Sequence, residues 1–145
     1  MSKHYSTKHY GHNIGLSAVF RQPNADHSHC HLLHGYSLAF TFTFGCEKLD
    51  NKNWAVDFGG LKPLKKWLED SFDHKLVLDK NDPHLDKFKE LEEMDLASIV
   101  IMDGVGGPHW PSKHFHRRFA WLAVDLITAP KVGHCSSAKH YPGST

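Results

Sequence analysis

Between Asp26 and Tyr36 the chain places His27, His29, Cys30, His31 and His34 within eleven residues, with a carboxylate at one end and a phenol at the other. Imidazole is the commonest neutral metal ligand and the side chain most readily moved across neutral pH. A thiol among cationic imidazoles can be drawn toward the thiolate and become reactive. Metal binding, proton transfer and nucleophilic chemistry are therefore the candidate uses of this stretch. The competing reading is a polar surface loop, because 14 of the 145 residues are histidine.

Such groups need a frame, and the length suits one domain over residues 1–145 built on a single core. Hydrophobic residues make up 40% and charged residues 23%, the balance of an ordinary globular protein. A net charge of +1 offers no electrostatic case for nucleic acid or an anionic membrane, so a partner must be argued from the site. No apolar run approaches membrane-spanning length, and the start Met1-Ser2-Lys3-His4-Tyr5 lacks the apolar core of a signal peptide, so a cytoplasmic location is expected. Cys30, Cys46 and Cys135 are an odd, sparse set rather than a disulfide framework. Cys30 is the best candidate for a functional thiol.

Residues 1–9 are polar and read as a loosely ordered lead-in. From Gly15 to Phe20 strand formers accumulate, with Gly15 as a possible bulge, and Pro23 and Asn24 end the segment. After the histidine-rich stretch, Tyr36 to Phe44 alternates, with Phe40, Phe42 and Phe44 on one face and Ala39, Thr41 and Thr43 on the other. Residues 15–45 thus predict two long antiparallel strands joined by the histidine-rich connection. Leu61, Leu64, Trp67, Leu68 and Phe72 form a helical stripe, with Pro63 in the first turn, where proline costs least. A second helix is predicted from Pro83 to about Glu93, a strand from Ala97 to Met102, and a third helix from Ser112 to about Ile127. The tail from about residue 128 to 145 shows only Lys131-Val132 as strand signal and reads as poorly ordered.

That order, together with Leu16-Ser17-Ala18-Val19-Phe20-Arg21, Cys30-His31-Leu32-Leu33-His34-Gly35-Tyr36, Val56-Asp57-Phe58 and Phe72-Asp73-His74-Lys75-Leu76, resembles the 6-pyruvoyltetrahydropterin and 6-carboxytetrahydropterin synthases. The resemblance covers residues 10 to about 80 well, and the rest by element order. It implies the α+β tunnelling fold: an antiparallel sheet with helices on one face, closed into an oligomeric barrel, often a hexamer, with the site between subunits. It implies a carbon–oxygen lyase that turns 7,8-dihydroneopterin triphosphate into a 6-substituted tetrahydropterin. The 6-carboxy product of queuosine biosynthesis is favoured. By position, Cys30 corresponds to the catalytic cysteine, and Asp73 and His74 to the charge-coupled pair that assists it, an arrangement suited to acid–base work. Read without the resemblance, Cys30 is equally a buried small hydrophobe, and Asp73-His74 a hydrogen bond at a helix end.

The departures bear on the metal. The family holds zinc with three histidines, one ending the first strand and two in a His-Gly-His triplet on one face of the second. Here Phe20 and Tyr36 occupy two of those positions and His34 alone remains. One imidazole cannot hold a catalytic zinc, which needs about three protein ligands. Either the loop rebuilds the site, with His34, His29 and His27 as ligands for Zn2+ or another divalent metal, or the metal is lost. His12 is a further candidate, and tyrosinate at Tyr36 a weaker one. The glutamate that grips the pterin's guanidine-like edge is also missing, since Glu93 is the last glutamate, and the substrate-binding residues stay unassigned. Besides the lyase, two other readings remain: a non-catalytic tunnelling-fold binding or assembly protein, and a metal-dependent hydrolase built on the histidine-rich loop alone.

Overall fold

Alternation along Phe40–Cys46 buries Phe40, Phe42 and Phe44 to 1% exposure each and leaves the threonines between them half-buried. This strand, β4, is the middle of one of two sheets in the computed structural model, which describes residues 4–106, Trp110 and the backbone of 125–126. On one side β4 pairs antiparallel with β1, His4–Tyr10, from His4 opposite Cys46 to Tyr10 opposite Phe40. On the other it pairs with the short β7, Asp125–Leu126.

The expectation of a loose lead-in over residues 1–9 fails for the described part, because His4 to Tyr10 is a paired strand. Its composition hid it: apart from Tyr10 its residues are exposed or half-buried, so it lacks the apolar alternation that marks strands in a sequence. Backbone pairing is helped by cross-strand side chains, with His9 Nδ1 2.8 Å from Thr41 Oγ1 and the Thr7 and Thr43 hydroxyls 3.3 Å apart.

The second sheet runs β3, β2, β5, β6, comprising His34–Leu38, Leu16–Phe20, Lys75–Asp79 and Ile99–Met102. β2 and β3 are antiparallel, as expected. β5 adds parallel to β2 and β6 parallel to β5, so this sheet is mixed rather than purely antiparallel. The long strand predicted to start at Tyr36 breaks at Ala39, where the chain leaves one sheet for the other. Gly15 is no bulge. It closes a single 3-10 turn over His12–Ile14 in the left-handed conformation, at φ +82°, which glycine adopts without a Cβ clash.

The helix expected after Gly59-Gly60 is α1, Lys62–Phe72, with Pro63 in its first turn and Leu64, Leu68 and Phe72 buried. Asp57 accepts the Gly59 N–H at 2.8 Å and caps the 3-10 turn Phe58–Leu61 that leads into α1. The Val-Asp-Phe motif is thus a helix-entry device. α2 spans Leu85–Glu93 and buries none of its residues fully. The core joins the inner faces of both sheets to α1, with ring contacts running from Phe20 to Trp110, Trp110 to Phe72 and Phe72 to Phe40. Of the third predicted helix, 125 and 126 are strand; the remainder of Ser112 to Ile127 and the tail lie outside the described residues.

Candidate functional site

α1 stops at Phe72, which is fully buried, so the next residues are thrown to the surface at a defined point. Asp73 turns to an extended conformation, its N–H still donating to the Glu69 carbonyl at 2.9 Å. His74 then takes φ +54°, a left-handed backbone that a non-glycine residue adopts at a cost, and β5 begins one residue later. This tight reversal lays His74 Nδ1 2.6 Å from Asp73 Oδ1. The imidazole is 88% exposed and the carboxylate 43%, so the pair faces solvent while its backbone is pinned by the core. A carboxylate on Nδ1 fixes the tautomer and orientation of the ring and leaves Nε2 to exchange a proton. Beside it lies an open groove of about 370 Å³ lined by Val19, Leu33, Leu91, Leu96 and Lys75, within the range of small-ligand clefts.

Cys30 sits elsewhere in the described structure and does not line that groove. It occupies a 3-10 turn, His29–His31, whose N-cap Ser28 accepts the Cys30 N–H at 3.1 Å, while its own carbonyl accepts the Gln22 N–H at 2.8 Å. It is 9% exposed and disulfide-bonded, where composition pointed to a free functional thiol; Cys46 is the free cysteine among the described residues. The structure thus brings Asp73 and His74 together and leaves Cys30 apart from them within one chain.

The three expected metal ligands do not converge. Among the described residues no three histidine, cysteine, aspartate or glutamate side chains lie together as a metal requires. The local geometry gives the reason. His27 and His29 are exposed on the turn ahead of β3. His34 is on β3 with its Nδ1–H donating to the Leu32 carbonyl at 2.7 Å, and its ring packs 4.7 Å from Phe20, directly across the ladder. His12, the further candidate, donates to the Ser37 carbonyl at 2.8 Å. Tyr36 lies on the same face as His34, with ring centroids 5.4 Å apart. One imidazole nitrogen among aromatic carbons does not fit a divalent metal.

Sequence reading missed Arg21. Its guanidinium donates to both oxygens of Asp82, at 2.7 and 3.4 Å, and to the His31 carbonyl at 3.1 Å. The Asp82 side chain is completely buried, so this fork staples the turn carrying Cys30 to the loop between β5 and α2. The signal was an arginine directly after an apolar strand and an aspartate before Pro83, neither specific enough to pair by eye. A second cleft of about 680 Å³, between β1 and the 49–59 segment with Tyr5, Trp54 and Phe58 on its walls, shares no residue with the His74 groove.

An antiparallel sheet and a mixed sheet packed with the helix α1, with the Asp73–His74 pair at the joint between α1 and β5, define a small α+β domain of a kind known from pterin enzymes. Residues 2–118 match the family model described as 6-pyruvoyl tetrahydropterin synthase, and the chain belongs to that family. It is 37% identical over 59 residues to the 6-carboxy-5,6,7,8-tetrahydropterin synthase of Rickettsia typhi, a match covering 40% of this chain and 43% of that one. The similarly named protein of Aquifex aeolicus is 33% identical over 64 residues, covering 44% and 40%. The chain therefore spans about two fifths of the length of these curated relatives. The crystal structure of an uncharacterized protein from Wolinella succinogenes shares the fold, with a TM-score of 0.62 over 85% of this chain and 88% of the other at 17% identity. No helix among the described residues is long and apolar enough to cross a membrane.

Proposed function

We propose that this protein is a tetrahydropterin synthase-type carbon–oxygen lyase, acting on 7,8-dihydroneopterin triphosphate and giving the 6-carboxy product that its relatives' names describe. The observation that carries the reading is the Asp73–His74 pair, 2.6 Å apart and exposed beside an apolar groove of ligand size. In the reaction, the bond from carbon to the triphosphate oxygen breaks as a proton leaves the neighbouring carbon, and the 6-carboxy product further requires water to add to the side chain and its two outer carbons to leave as acetaldehyde. His74 is placed to take and return that proton, and Asp73 holds the ring in the tautomer that does so. Cys30 in its reduced form is the second proton carrier of this reading. A homo-oligomer, with a hexamer as the leading form, supplies it from another copy, and the exposed Val19, Leu33 and Leu96 around the groove give copies an apolar surface to share. The cytoplasm, where thiols stay reduced, is the compartment this chemistry needs. The family is generally metal-dependent, but the donor set around His34 does not fit a metal, so each step here rests on the chain's own groups.

The test is incubation of the reduced, full-length protein with 7,8-dihydroneopterin triphosphate, reading triphosphate release. His74→Gln is expected to lower the rate by about 10²–10⁴-fold, the usual worth of a positioned acid–base group. Unchanged turnover in that variant would remove the pair from the mechanism. A second reading, a non-catalytic tunnelling-fold binding or assembly protein that has lost the pterin anchor, draws on the aromatic packing of Phe20 against His34 and Trp110 where a metal would be needed. A folded protein that releases no triphosphate, with divalent metal supplied, would favour that reading over the lyase.

A further inference from the structure

The inner faces of β2 and β3 meet at a corner whose geometry is that of a ligand site and whose chemistry is not. Phe20 lies opposite His34 in the ladder, and Tyr36 is two residues along on the same face. Their ring centroids are 4.7 Å (Phe20 to His34), 5.4 Å (His34 to Tyr36) and 5.6 Å (Phe20 to Tyr36) apart, so three rings share one centre. Trp110 closes it, 5.1 Å from Phe20, and both of these residues are 3% exposed. Because His34 Nδ1 donates to a carbonyl, its Nε2 carries the lone pair. That Nε2 is buried and has no hydrogen-bond partner. A buried, unpartnered lone pair is half of a metal site; on this face the rings of Phe20 and Tyr36 stand where two further imidazoles would be needed.

We infer that Phe20 and Tyr36 together lock this corner against divalent cations; Phe20→His with Tyr36→His, which restores the three-histidine set of the family, is the change that tests the lock. The backbone register already supplies the convergence, so two side-chain replacements complete the ligand set without moving a strand. Imidazole is no larger than the rings it replaces, so overpacking does not oppose the change. The remaining obstacle is three buried imidazoles without partners, which the metal itself relieves.

The experiment is titration of the full chain with Co2+ and Zn2+, reading bound metal per chain, the visible Co2+ spectrum and Tm. Only metal that disappears with His34→Ala counts, since the chain's many other histidines bind cations nonspecifically. The wild type and its His34→Ala variant are expected to hold the same amount of metal. The double variant is expected to hold one further equivalent, lost when His34→Ala is added, and its Tm to rise by about 5–11 °C at a hundredfold excess of Zn2+ over Kd. A His34-dependent metal in the wild type would overturn the lock. A folded double variant with no His34-dependent metal would overturn the convergence of the three positions. If the double variant does not fold alone, refolding in Co2+ is the readout, and failure to recover a folded, metal-bound species counts against the inference equally.

Discussion

Removing the Arg21 guanidinium strands a buried carboxylate, that of Asp82. Asp82 has a fully buried side chain, Arg21 is 15% exposed, and the two are joined at 2.7 and 3.4 Å, with a third guanidinium bond to the His31 carbonyl. Arg21→Leu leaves the Asp82 carboxylate with the His84 N–H, at 2.9 Å, to hold it among the described residues. Stranding one member of a buried ion pair costs about 3–5 kcal/mol. In a chain of this size that lowers Tm by about 6–20 °C. Urea titration followed by circular dichroism is the assay, with a lowered midpoint and an unchanged slope as the signature of lost stability. Replacing both partners, Arg21→Leu with Asp82→Leu, should recover most of the loss, because no uncompensated charge remains. Lys66→Ala, which breaks the exposed 2.8 Å pair with Asp70, is the control expected to change nothing measurable. If Arg21→Leu costs less than about 1 kcal/mol, the fork is no stronger than a surface pair. The staple between the cysteine turn and the β5–α2 loop would then be a wrong account of how that turn is held.

Three further outcomes follow from named contacts. Burial raises the Tyr10 phenol above its ordinary value of 10.0. The folded state then holds its proton longer than the unfolded chain does. Stability is fully present below pH 10 and falls as the pH rises through the folded pKa, and Tyr10→Phe should flatten this limb of an alkaline unfolding profile. His74→Gly should lower triphosphate release as far as His74→Gln does, yet leave stability unchanged or raised by about 1 kcal/mol, because glycine relieves the left-handed backbone; a destabilised protein would assign His74 a structural role. Asp57→Ala should cost about 1 kcal/mol through the lost cap on the turn entering α1, and an undiminished urea midpoint would refute that role.

Most of the secondary structure was readable where one face is buried and the pattern is therefore periodic. The phenylalanines of β4, the stripe of α1 and the β-branched run of β6 all announced themselves in this way. β1 did not, because its polar side chains leave backbone pairing as the main force holding it. Nor did the break at Ala39, since a strand that changes sheets keeps its alternation and shows no interruption in composition. Of the candidate site, Asp73 and His74 are adjacent in sequence, so their meeting could be anticipated. The metal set drawn from His27, His29 and His34 relied on a loop folding back on its own strand, and Ser28 instead winds that loop into a capped 3-10 turn.

By itself, then, the sequence determined the family, the helix–strand joint that carries the Asp73–His74 pair, and the absence of two expected ligands at Phe20 and Tyr36. Those are properties of residue type and short spacing. Tertiary structure decided what fills the corner those ligands left, and which arginine holds the cysteine turn. Both depend on residues far apart in the chain, Phe20 with Trp110 and Arg21 with Asp82. Contacts of that kind leave no period in a sequence, because they are selected by the packing of distant elements rather than by the conformation of any one of them.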